Sequence, residues 1–212
     1  MAQQPTGSSS EPQDPEFEHT TALLREYVFG RAKVDNDLNS QEFKTFMEAR
    51  QIQSDGVPQT RVSPSPAFIG KILGGMGGDI DARYQKTIQT LAQWSGPPEQ
   101  ALKTFKEVAK TTFSDGHGGV KITPGRIVVM LNYCYHLCKT YTSQNVAAAS
   151  LISFITIVAT WLCKSFLEAK VFDWLWKQGG WSKLVAISGK NMLLFIGLGS
   201  LAIWALAYFT GN

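Results

Sequence analysis

A chain of 212 residues, 44% of them hydrophobic and 17% charged, can bury one sizeable core, and nothing in it asks for a second. Its net charge of +3 is spread thinly, which excludes a field strong enough for nucleic-acid binding. The three cysteines, Cys134, Cys138 and Cys163, are an odd number set in apolar sequence, so they read as reduced, buried thiols facing a cytosolic environment and not as a disulfide framework.

Residues 1–14 are polar and rich in Pro and Ser; with no apolar segment they are not a secretory signal and are expected to form a disordered leader. A first helix is expected from about Pro15 to Val34, with Leu23, Leu24, Tyr27, Val28 and Arg31 at helical spacing. A second, Asn39 to Gln51, has Asn39 and Ser40 as caps and Phe43, Phe46 and Met47 on one face. Gly56, Pro58, Pro64 and Pro66 mark a loop.

The next helix carries Ile69, Leu73, Met76 and Ile80 at i, i+4, i+7 and i+11, with Asp79, Asp81 and Arg83 alongside. Glycines 70, 74, 75, 77 and 78 weaken it by roughly 1 kcal/mol each relative to alanine, so it must draw stability from whatever it packs against. Small residues also permit close backbone approach. The stretch reads as a helical peptide made to lie in a groove.

After Gly96-Pro97-Pro98, the segment Glu99 to Phe113 is amphipathic, with Leu102, Phe105, Val108, Ala109 and Phe113 on one side. A glycine-rich loop follows, and Pro124 suits the first turn of another helix. Ile127 to Tyr141 and Asn145 to Phe166 are nearly free of charge and look like a central hairpin. Thr140 to Cys163 passes a simple hydropathy test for a membrane span; a buried core helix is the favoured reading, because the flanking amphipathic helices need an apolar centre. Phe172, Trp174, Leu175, Trp176 and Trp181 form an aromatic cluster broken by Gly179-Gly180, a corner between a short helix and another over Trp181 to Ser188.

From Met192 to Phe209 there is again no charge, and the run is long enough to cross hydrocarbon. Residues 191–212 are therefore expected to form a C-terminal membrane anchor, with an apolar core helix as the alternative, behind a helical domain over 15–190. The fold class expected is all-α, a bundle around a central apolar hairpin plus a C-terminal transmembrane helix.

No enzyme is expected: no nucleophile motif is present, and Gly116 to Gly119 lacks the residues that complete a phosphate loop. Cys134, His136 and Cys138 invite a metal reading, but spacings of two on a helix point in different directions and no fourth ligand is evident. No metal and no cofactor are expected.

Four segments together resemble the Bcl-2 family of apoptosis regulators, and within it the membrane-permeabilising effectors. YVFGR (Tyr27 to Arg31) looks like the family's first helix. IGKILGGMGGDIDARY is similar to the third homology motif, BH3, in Leu73, Gly77, Asp79, Ile80, Arg83 and Tyr84. Thr104 to Gly116 leading into PGRIVV resembles the first homology motif, and WLWKQGGW the second.

The resemblance spans about Glu16 to Phe209 and implies an eight-helix globule with a hydrophobic surface groove and a ninth helix anchored in the outer mitochondrial membrane or another cytosol-facing one such as the endoplasmic reticulum. It implies a BH3-like helix of Ile69, Leu73, Met76, Gly77, Asp79 and Ile80, and a partner-binding groove formed by Phe105, Val108, Phe113, Gly125, Arg126 and Val129. Trp174, Gly179, Gly180 and Trp181 belong to the second motif. The partners implied are BH3-containing proteins of the family, a second copy or a relative in a dimer, and a lipid membrane, with no nucleic acid. The direction of action stays open between a death effector and a pro-survival guard that sequesters BH3 helices.

Three departures bear on this. Thr123-Pro124-Gly125-Arg126 stands where the family usually has Asn-Trp-Gly-Arg, after an extra loop at His117 to Lys121. Gly78 occupies the place of the BH3 aspartate, so either Asp79 substitutes or the ion pair with Arg126 is absent. The tail has no basic residue after Lys190. For Arg126 itself the alternative to a partner-binding role is capping the start of the hairpin helix.

Overall fold

The computed structural model describes residues 15–35, 39–54 and 65–186. The leader over 1–14 and the anchor over 191–212 lie outside the described residues. Those described are helical in the order α1 (Pro15–Asp35), α2 (Gln41–Ser54), α3 (Pro66–Ala92), α4 (Pro98–Phe113), α5 (Pro124–Thr142), α6 (Ala148–Glu168), α7 (Val171–Gln178) and α8 (180–186). The expectation of an all-α bundle holds.

Local chemistry sets the helix starts. Ser65 caps α3, its hydroxyl accepting from Phe68 N at 3.3 Å with Pro66 in the first turn, and Thr123 caps α5 in the same way through Arg126 N. The corner after α7 is made by Gly179 and Gly180 at φ 94° and 79°, a left-handed conformation that only glycine takes without strain. Trp181 and Leu184 then turn α8 back onto the core.

Helix α5 is the axis of the bundle: every residue from Pro124 to Cys138 is buried, with α1, α2, α3, α4 and α6 packed around it. Helix α6 completes the hairpin, and Tyr141 stacks on Phe154 at 4.2 Å with Trp94 covering both. By length and composition α6 could cross a membrane, yet Leu151, Phe154, Ile155, Val158, Ala159 and Leu162 are buried against the bundle. Its opposite face is open at Ile157 and Lys164.

The glycine-laden α3 runs unbroken for 27 residues. Its glycines let α1 approach backbone to backbone, and that contact is the most extensive between any two helices. A Cβ on Gly70 would lie 2.6 Å from Glu26 Cβ and 2.8 Å from Tyr27 N, and one on Gly77 would overlap the Tyr27 hydroxyl and lie 2.8 Å from Arg31 Cδ. Gly75 faces open space. Gly77→Ala is therefore expected to destabilise the fold by about 1–3 kcal/mol through overpacking, whereas Gly75→Ala gains up to about 1 kcal/mol of helix propensity. Urea midpoints of the two variants check the opposite signs.

Candidate functional site: a latched helix and a capped arginine

The apolar stripe of α3 faces inward. Ile69, Leu73, Met76 and Ile80 are all buried, as is Gly77, while Asp79 points to solvent. Beside the stripe runs a second row, Gly70, Gly74, Gly77 and Asp81, laid against α1.

Asp81 closes that row with a polar cluster that no single sequence motif announces. Its Oδ2 accepts from Arg31 Nη2 at 2.5 Å, and its Oδ1 accepts from Asn132 Nδ2 at 2.7 Å and meets His136 Nε2 at 2.9 Å. Tyr27 donates to Asn132 Oδ1 at 3.2 Å. Arg31 is 1% exposed and Asp81 8%, so this is an ion pair inside the core, tying α1, α3 and α5 to one another.

Toward the rim Arg31 Nη2 also meets Asp35 at 2.6 Å, and Asp35 accepts from the Tyr135 hydroxyl at 2.5 Å and from Lys139 at 3.4 Å. The guanidinium lies over the Tyr135 ring, 5.1 Å from its centroid. Burial pushes the Asp81 carboxyl up, but hydrogen bonds from His136 and Asn132 and the charges of His136 and Arg31 outweigh it, holding the group below the usual carboxylate range.

Sequence reasoning placed Arg31 on the inner face of α1 and Asp81 beside the α3 stripe without pairing them, and it considered His136 only as a metal ligand. The available signal was a charge among apolar residues on each of two helices, with an Asn and a His four apart on the central, nearly uncharged helix α5. Cys134 and Cys138 are buried thiols whose pKa values burial raises, as expected for inert core cysteines.

The residues expected to form the groove gather at another corner. Phe105, Val108 and Phe113 are on the inner face of α4, and Gly125, Arg126 and Val129 lie in the first turns of α5, all six buried. Phe113 meets Phe166 edge-on at 5.8 Å, and Phe166 stacks on Trp181 at 6.3 Å, so the first and second homology motifs converge. Trp174 is half-buried against the core. Among the described residues α3 and α4 both pack on α5 but touch each other little.

Arg126 is committed to backbone here. Its Nη1 donates to the carbonyls of Ser114 at 2.6 Å and Lys121 at 3.1 Å, clamping the extra loop, while Nε is buried without a hydrogen-bond partner among the described residues. Asp115 shapes that loop by accepting from the backbone N–H of His117 and Gly119, both at 2.8 Å, and its charge reaches Arg126. In this arrangement Arg126 ties down the loop between α4 and α5, whose helix start is capped by Thr123, and Asp79 is not among its hydrogen-bond or ion-pair partners.

Comparison with known proteins accords with this architecture. The family model for apoptosis regulator proteins of the Bcl-2 family matches residues 73–181, just over half of the chain. The chain belongs to the Bcl-2 family, a regulatory and non-enzymatic one. It is 26% identical to human Bcl-2 homologous antagonist/killer (Bak) over 188 residues, covering 84% of this chain and 79% of that protein. Pig Bcl-2-like protein 1 is 25% identical over 126 residues, covering 59% of this chain and about half (49%) of its own length. The crystal structure of chicken BOK superposes with a TM-score of 0.55 over 83% of this chain and 99% of that one, at 19% identity, a likeness of fold.

Removing one partner of a buried, hydrogen-bonded ion pair leaves an uncompensated charge, so Asp81→Asn is expected to cost about 3–5 kcal/mol in chemical denaturation. The pH dependence follows from the sign of the shift. The folded pKa of Asp81 is depressed, so its contribution is complete above the unfolded value of about 3.9 and is lost as pH falls through the folded one. Stability curves between about pH 5 and pH 2 are expected to fall steeply for the native chain and less steeply for Asp81→Asn.

Proposed function

We propose that this protein is a Bak-like pro-apoptotic effector: a helical domain over 15–190, tethered by 191–212 to the mitochondrial outer membrane or the endoplasmic reticulum with its bulk in the cytosol. A BH3 helix from another family member enters a hydrophobic groove over α5, α3 is released in response, and released helices dock into grooves of further copies to build oligomers that permeabilise the membrane.

The observation that carries this reading is α3 itself. An effector must store its own BH3 helix in a form that can leave. Here that helix is rich in glycine, is buried along its apolar stripe, and is joined to α1 by close backbone approach along its glycine row and by one buried ion pair. The longer alignment with Bak than with Bcl-2-like protein 1 points the same way. Arg126 supplies the groove with a guanidinium whose present acceptors are two carbonyls, which a carboxylate on an incoming helix would outcompete.

The pro-survival guard is the competing class, and one assay separates them. Full-length protein in dye-loaded liposomes, given an activating BH3 peptide, is expected to release dye. Tight peptide binding without release, together with protection of the liposomes from an effector, would assign the guard role instead. In the same system Arg126→Ala is expected to weaken peptide binding by about 2 kcal/mol or more, roughly thirtyfold. An unchanged affinity would remove Arg126 from the groove.

A further inference from the structure

We infer that Asp81, not Asp79, is the acid that the released α3 presents to Arg126 of a second copy, and that the same carboxylate is the one that holds α3 closed in the monomer. This rests on the groove reading proposed above and names the specificity-determining residue within it.

The argument is positional. Residues three apart on a helix are surface neighbours, while adjacent residues diverge by about 100°. Gly78 occupies the place of the motif's usual acid, and Asp81 is three residues on. A Cβ on Gly78 would sit 3.6 Å from Arg31 Nη1, and the Asp81 carboxylate binds Nη2 of the same guanidinium. Positions 78 and 81 therefore share the edge of α3 that an arginine already reads. Asp79 lies around the helix from that edge, exposed to solvent and away from Arg31.

Glycine at 78 also leaves room on that edge. With no side chain there, a guanidinium can approach Asp81 from one turn upstream, as Arg31 does in the monomer. One carboxylate thus serves two arginines, Arg31 within the chain and Arg126 across a dimer, and since α3 cannot lie against α1 and in a partner's groove together, it serves them by turns. Docking into a partner's groove and latching onto α1 become mutually exclusive through a single residue.

The test uses acetylated and amidated synthetic peptides of residues 66–92, binding to the full-length protein in detergent micelles, so that the acid is altered without touching the protein's own latch. Asp81→Ala in the peptide is expected to weaken binding about tenfold or more, and Asp79→Ala less than about threefold. Adding Gly78→Asp to the Asp81→Ala peptide should restore most of the loss. On the Arg126→Ala protein the native and Asp81→Ala peptides should bind alike, the sign that the two residues are coupled.

A large loss from Asp79→Ala with none from Asp81→Ala would overturn the assignment, as would an Asp81→Ala penalty that persists in full on the Arg126→Ala protein. If the native peptide does not bind at all, the groove reading itself fails, a result distinct from binding that is indifferent to position 81.

Discussion

The carboxylate of Asp81, placed inside the core and met by Arg31, Asn132 and His136, is the constraint around which the rest of the domain is arranged. In a low-dielectric interior a charge must be paired and its remaining lone pairs filled, and two neighbouring helices have to supply the donors. Arg31 comes from α1, the acid from α3, and the amide and imidazole from α5. Their relative register is thereby fixed far more narrowly than apolar packing alone would fix it. The glycine row is the geometric counterpart: Tyr27 and Arg31 reach the cluster because Gly77 has no side chain in their path.

This division of labour explains how a helix with so little intrinsic stability is held. Apolar burial of Ile69, Leu73, Met76 and Ile80 is nondirectional and would be met equally well by another greasy surface. The ion pair is directional, and it forms only where Arg31 of α1 and Asp81 of α3 are in register. Of the two, only the ion pair specifies which surface α3 lies against.

Much of the fold was legible in the sequence, because caps, prolines and apolar periodicity act locally. Pro15, Pro98 and Pro124 begin helices, Gly179-Gly180 ends one, and the nearly uncharged hairpin became the centre of the bundle. The fate of the α6 segment needed the assembled bundle, since hydropathy does not tell lipid from a protein shell of the same polarity; the structure packs one face inside. The candidate site was legible only in part. The stripe and the second-motif corner follow from spacing, whereas the pairing of Arg31 with Asp81 joins residues fifty apart and depends on how two helices pack. Arg126 was singled out, but its present acceptors are carbonyls of a loop whose path no local rule dictates.

The guanidinium of Arg31 also carries a deficit. Its Nε and Nη1 find no hydrogen-bond acceptor among the described residues, although the side chain is almost fully shielded. The charge is nonetheless favoured where it sits, because burial is more than offset by the carboxylates of Asp35 and Asp81, which raise the guanidinium's pKa above its ordinary value. Pulling α1 from α3 therefore means separating a charge from its acid, a cost that two apolar faces alone would not impose.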